Sequence, residues 1–136
     1  MSGVDRPVLV LDTHAWVWWI GGPAAPDLSK RARKAIDDAS SLLVSMASCV
    51  EVAWLEAAGR LRFDRDVLTW LKQALAKPRV QLAQLTPEIA VRAAALPWQH
   101  RDPNDRFIVT TALINRAPVV TKDRVIRSSG LVSTLW

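Results

Sequence analysis

The 136-residue sequence predicts an α/β fold, a parallel sheet covered by helices on both faces. Short apolar β-type runs recur along the chain, and longer stretches of helical character separate them. That alternation is the pattern of parallel strands joined by crossover helices, and cap-type residues at several helix starts support it.

In chain order, the first strand is expected at Val8–Leu11 and a helix over 13–20. Gly21–Pro26 reads as a loop, and Ser29 as the N-cap of a helix over 29–39. A strand at Leu42–Ser45 leads to a helix over 47–59, for which Gly59 is a plausible stop. The charged connection RLRFDRD, 60–66, precedes a helix over 66–77 and a strand at Val80–Leu85. Thr86-Pro87 opens a helix over 87–95, and Asp102-Pro103 opens one over 104–116, each a cap followed by a proline that needs no N–H partner. Runs at Val119–Thr121 and Leu131–Leu135 complete a sheet of four to five strands.

With 50% of its residues apolar, a chain of this length can bury a sizeable core, and residues 1–136 are expected to form a single domain with no repeat or linker. The lone Cys49 excludes an intrachain disulfide and reads as a core residue. No charged-then-apolar leader opens the chain, and the apolar run at 15–20 is too short to span a bilayer, so a cytoplasmic protein with no membrane role is expected. Net charge is +5, but residues 1–68 hold eight Lys/Arg against nine Asp/Glu, whereas 69–136 hold ten against four. Such asymmetry suits a polyanionic partner, although a merely soluble basic surface has the same composition.

In a doubly wound parallel sheet, ligands bind beyond the carboxyl ends of the strands. Asp12 follows the first strand in "VLVLDTHA", Asp123 follows "VVT", Glu51 lies in the second turn after "LLVS", and Asp105 opens the helix of "HRDPNDRF". Each has a plainer explanation: Ser48-x-x-Glu51 matches a capping box, Asp102 and Asp12 can cap helices, and Asp123 can be a turn residue. Together, four ionised carboxylates in one crevice would raise each other's pKa and destabilise the fold unless a cation entered. Oxygen-only ligation favours Mg²⁺ or Mn²⁺. His14 and His100 stand apart with no zinc-type spacing, and phosphate-loop, dinucleotide and nucleophile-elbow motifs are missing.

"LDTHAWVWW", "SMASCVEVAW", "LPWQHRDPNDRFIVTTAL" and "VVTKD" together resemble the successive motifs of PIN-domain nucleases, especially the VapC-type toxins of type II toxin–antitoxin pairs. The resemblance covers nearly the whole chain, and "VSTLW" is similar to that subgroup's last strand. It implies a three-layer α/β/α domain, Mg²⁺- or Mn²⁺-dependent endoribonuclease activity through a metal-activated water, a 5′-phosphate product, and a small cognate antitoxin. It carries the metal-ligand role to Asp12, Glu51, Asp105 and Asp123, direct or through water. It matches Thr121 to the T-x-D hydroxyl, which would position a water or a phosphate oxygen. Thr13 is expected to steady the Asp12 carboxylate, Asp102 to be a cap, and His100 and Arg106 to meet substrate phosphate. Two positions depart from the pattern: Asn104 replaces an apolar residue, and "EVAWLEAAGRL" lacks a lysine often found after the helical acid.

Lys122 and Arg124, with other cations near the acids in sequence, are expected to form an RNA path that grips phosphate rather than reading bases. The "KRARK" run, 30–34, reads as a solvated face. Trp16, Trp18 and Trp19 cannot share one helix face at about 100° per residue, so part of that helix is expected to meet a homodimer mate or antitoxin, and packing is favoured over base stacking. Two other classes fit less of the sequence: a PIN-fold module that binds RNA or antitoxin with little turnover, and a phosphotransferase with Asp12 as nucleophile, for which His14 stands where a second aspartate is needed.

Overall fold

A computed structural model describes residues 7–22, 25 and 27–136. Five parallel strands form one sheet in the order β3-β2-β1-β4-β5, where β1 is Val8–Leu11, β2 Ser41–Ser45, β3 Val80–Ala83, β4 Val119–Val120 and β5 Thr134–Leu135. Register is direct, Leu9 opposite Leu42 and Val10 opposite both Leu43 and Val119. The helices are α1 (Thr13–Ile20), α2 (Lys30–Asp38), α3 (Met46–Ala57), α4 (Val67–Leu75), α5 (Pro87–Ala94), α6 (Pro103–Asn115) and α7 (Arg124–Arg127). Part of the loop expected at Gly21–Pro26, namely Pro23, Ala24 and Pro26, lies outside the described residues.

Strand periodicity divides the core. Leu9, Leu11, Leu42 and Val44 point to one face, where they pack with Ala15 and Trp16 of α1, Ala32 and Ile36 of α2, Val52 of α3 and Trp70 and Ala74 of α4. Val10, Leu43 and Val119 point to the other and meet Ile108 and Ala112 of α6. The sheet is therefore buried on both sides, the three-layer arrangement expected. Ser29, Thr86 and Asp102 cap α2, α5 and α6 as their positions predict, and Gly59 takes φ +74° just beyond α3.

Several boundaries differ. The last three strands are shorter than expected, β4 and β5 being two residues each. Helix α3 starts directly on β2, so Ser45 rather than Ser48 is its N-cap, accepting from the Ala47 amide at 3.1 Å. Helix α7, four residues capped by Asp123, is too short to show a period in the sequence. The three tryptophans of α1 all reach the core within this chain: Trp16 is buried beside Trp70, while Trp18 and Trp19 are partly buried against the same cluster. The tryptophan standing free is instead Trp54 on α3, 74% exposed.

Candidate active site

Strands β2 and β3 lie on one side of β1, and β4 and β5 on the other, so the chain reverses its direction of winding between β1 and β4. Beyond the carboxyl ends of those two strands the covering helices diverge and leave a crevice. A cleft of about 410 Å³ opens there, lined by Asp12, Thr13, His14, Trp18, Glu51, Asp102, Asp105, Ile108, Lys122 and Asp123. The four acids singled out in the sequence thus line one cavity.

Asp12 is the N-cap of α1. Its Oδ1 accepts from the Ala15 amide at 2.8 Å, and its Oδ2 accepts the Thr121 hydroxyl hydrogen. Only 8% of Asp12 is exposed, and burial raises its carboxyl from 3.8 to about 6 despite both donors. Capping and aiming are one geometry here: one oxygen holds the helix, and the other is held by Thr121, the residue just beyond β4. Thr121 in turn accepts the Asp123 amide at 3.0 Å, and Asp123 Oδ1 caps α7 through the Val125 amide at 2.8 Å.

Glu51 approaches from α3. The Thr13 hydroxyl donates to Glu51 Oε1 at 2.6 Å and lies 3.0 Å from Ser48 Oγ. Thr13 therefore steadies Glu51, not Asp12 as expected, because the first residue of α1 faces α3 while β4 supplies the hydroxyl for Asp12. Ser48, itself buried, drops its capping role and joins Thr13 and Glu51; its spacing of three from Glu51, which places both on one helix face, was the available signal.

Asp105 enters from the first turn of α6. Its Oδ2 lies 2.7 Å from His100 Nε2, and burial is the main reason its carboxyl also rises to about 6, aided by the charges of Asp102 and Asp123 and opposed by His100. Asp102 is the cap expected, accepting the Asn104 amide at 2.9 Å. His100, Asp102 and Asp105 can bring ligand atoms within 4.8 Å of one another. Asn104 is partly buried, and nothing in the structure explains its departure from an apolar residue.

Arg106 was expected at substrate phosphate, and the structure places it elsewhere. Its Nε donates to Ala93 O, Nη1 to Trp98 O and His100 O, and Nη2 to Ala94 O and Leu96 O, at 2.8–3.3 Å. A guanidinium has five N–H groups, so all are committed to the backbone of the end of α5 and of its connection to α6. That connection has no periodic pattern, and no sequence signal pairs it with Arg106. Lys122 lies at the cleft with Nζ 5.8 Å from the centre of the Trp18 ring, whereas Arg124 lines a separate pocket with Arg127, Ser128 and Thr134.

Among the described residues, Asp12, Glu51 and Asp123 have no Lys or Arg partner, and Asp105 has only His100. This uncompensated negative charge, in oxygen donors held by hydroxyls and amides, fits a hard divalent cation.

The sequence matches the family model described as PIN domain over residues 9–129. The chain belongs to the PIN domain family. It is 40% identical over 121 residues to Ribonuclease VapC22 of Mycobacterium tuberculosis (strain ATCC 25618 / H37Rv), covering 88% of this chain and 90% of that one. Solved structures share the fold: VapBC2 from Rickettsia felis bound to a DNA fragment from its promoter aligns with TM-score 0.66 at 14% identity, over 93% of this chain and 96% of that one. A toxin–antitoxin complex from Klebsiella pneumoniae aligns with TM-score 0.64 at 17% identity, over the same shares. No helix among the described residues of this PIN domain is long and apolar enough to cross a membrane.

Proposed function

We propose that this PIN domain is a Mg²⁺- or Mn²⁺-dependent endoribonuclease, the toxin of a toxin–antitoxin pair, acting in the cytoplasm as a single domain and as a homodimer. The observation that carries the reading is the convergence of Asp12, Glu51, Asp105 and Asp123 on one cleft, where among the described residues none of them has a Lys or Arg partner. The identity to a named ribonuclease supports the activity. A toxin–antitoxin complex among the structures that share its fold supports an antitoxin partner.

In this reading the four carboxylates hold the cation, directly or through water. A divalent cation supplies Lewis-acid charge that makes water a better nucleophile and stabilises charge on the phosphate and leaving oxygen. The chain does the positioning. Thr121 fixes Asp12, Thr13 fixes Glu51, and His100 fixes one oxygen of Asp105, leaving the other free to face the cleft. Lys122, exposed at the rim, can grip a neighbouring phosphate.

The test combines thermal unfolding and RNA cleavage. In the reading proposed, millimolar Mn²⁺ or Mg²⁺ raises the wild-type midpoint relative to EDTA and supports cleavage, while Asp12→Asn keeps its cap but responds to neither metal nor RNA. A wild type that binds RNA and metal without cutting is instead a binding module.

A further inference from the structure

A site for a cation alone has no need of an aromatic wall, yet this cleft has one. Its volume, about 410 Å³, falls within the range of about 300–1,000 Å³ spanned by small-molecule sites, far more than an ion requires. Trp18 lines the cleft with the acids, partly buried and braced by a T-shaped contact with Trp136 at 5.8 Å and by His14 at 5.6 Å. The ring is thus held in place, so little side-chain freedom is lost when something stacks on it. Lys122 Nζ lies 5.8 Å from the ring centre. Among the described residues Lys122 forms no ion pair, although it sits next to Asp123 in sequence; its charge covers an aromatic face.

We infer that Trp18 and Lys122 form a nucleotide subsite beside the acidic cluster, in which one unpaired nucleobase stacks on the indole and its phosphate meets the ammonium. The inference rests on the ribonuclease reading for its substrate class and adds to it a residue outside the acid set. An aromatic face is a sequence-tolerant platform because every base has a π-face, and a flexible lysine can leave it as the base arrives. This assigns Trp18 a role beyond its packing against the core. Packing with Trp136 and base stacking coexist because a T-shaped contact engages at most one face of the indole, and the base takes the face that Lys122 covers as the ammonium moves to its phosphate.

The experiment measures binding of a fluorescent, unstructured RNA oligonucleotide by anisotropy in Ca²⁺, which neutralises the acids, with the RNA recovered uncut as a control. Oligonucleotides carrying one abasic residue at successive positions are compared with the intact strand. Trp18→Leu is expected to weaken the intact strand about tenfold, Trp18→Phe to restore most of that, and one abasic position to weaken the wild type about tenfold but Trp18→Leu no further. The abasic effect on the wild type needs no variant, and Trp18→Leu counts only where its thermal unfolding midpoint and Ca²⁺ response match those of the wild type, which a misfolded protein cannot show. Equal affinity of wild type and Trp18→Leu, or equal sensitivity of both to every abasic position, overturns the subsite. Cleavage in Mn²⁺ is measured separately: stacking-dependent binding without cleavage keeps the subsite and sinks the nuclease reading, whereas cleavage without the abasic signature does the reverse.

Discussion

Asp12 and Asp105 face the same cleft, and burial raises both carboxyls to about 6, but they are supported in opposite ways. Asp12 is gripped by immediate neighbours: an amide of its own helix and a hydroxyl from the adjoining strand. Asp105 is gripped by His100, which stands on an irregular connection shaped by the five backbone contacts of Arg106. One carboxylate is fixed by the sheet, the other by an arch beside it. Rigidity from regular structure and rigidity from a single guanidinium respond differently to damage, and that difference can be tested.

The largest effect is expected where the two supports do not matter. Asp12→Asn and Asp105→Asn should each lower RNA cleavage on the order of a thousandfold, beyond the roughly 10–100-fold typical of residues that merely orient a ligand. Asp12→Asn should be at least as stable as wild type in EDTA at pH 8, because it removes a buried charge. Single-turnover rates and urea midpoints read both; a mutant cutting within tenfold of wild type would remove that residue from the proposed ligand set.

Next is the pH dependence of stability without metal. Both carboxyls are raised above their unfolded value of 3.8, so the folded chain retains protons that the unfolded chain has released. The associated stability is complete below about pH 4 and is lost as pH rises through about 6, on the order of 3 kcal/mol for Asp12 alone. Urea titrations in EDTA from pH 4 to pH 8 should show the decline, and Asp12→Asn should remove its share of it. A flat profile would mean that neither carboxyl is raised.

Arg106→Ala separates the two supports. It should cost about 2 kcal/mol and at least tenfold in cleavage, since several carbonyls lose a charged donor together. Hydrogen exchange should quicken across 94–101 while amides of β1 and α1 stay protected. Equal loosening of both regions would show that the arch is no separate unit. Smallest of all, Thr121→Val should cost about 1–2 kcal/mol at pH 8 by leaving one Asp12 oxygen without a donor. Thr13→Val should cost less, because Glu51 is only partly buried.

What could be read from the sequence follows the same division. Asp12, Asp123 and the cap at Asp102 are local features, each set by a strand end or helix start within a few residues, and they stand where their motifs predict. The short β4 and β5 and the four-residue α7 were less legible, because their limits are set by pairing and capping rather than by hydrophobic period. Contacts made between distant segments were harder still. Which threonine serves which acid depends on α1 meeting α3 and on β4 lying beside β1, and nothing local distinguishes Thr13 from Thr121. Arg106 carries its charge in the middle of a family motif yet turns it on the backbone, a use no spacing rule reveals.

Asp12 and Thr121 are 109 residues apart, and β1 waits for β4 as its second neighbour. During synthesis β1 can pair with β2 once residue 45 is made, but the hydroxyl that restrains Asp12 and the carboxylate of Asp123 follow only about 75 residues later. A growing chain therefore has helices and half a sheet long before it has a cleft. For a protein that cuts RNA, synthesis must pass Asp123 before the four carboxylates can share one cleft, so the acid set closes late relative to the strand that carries Asp12.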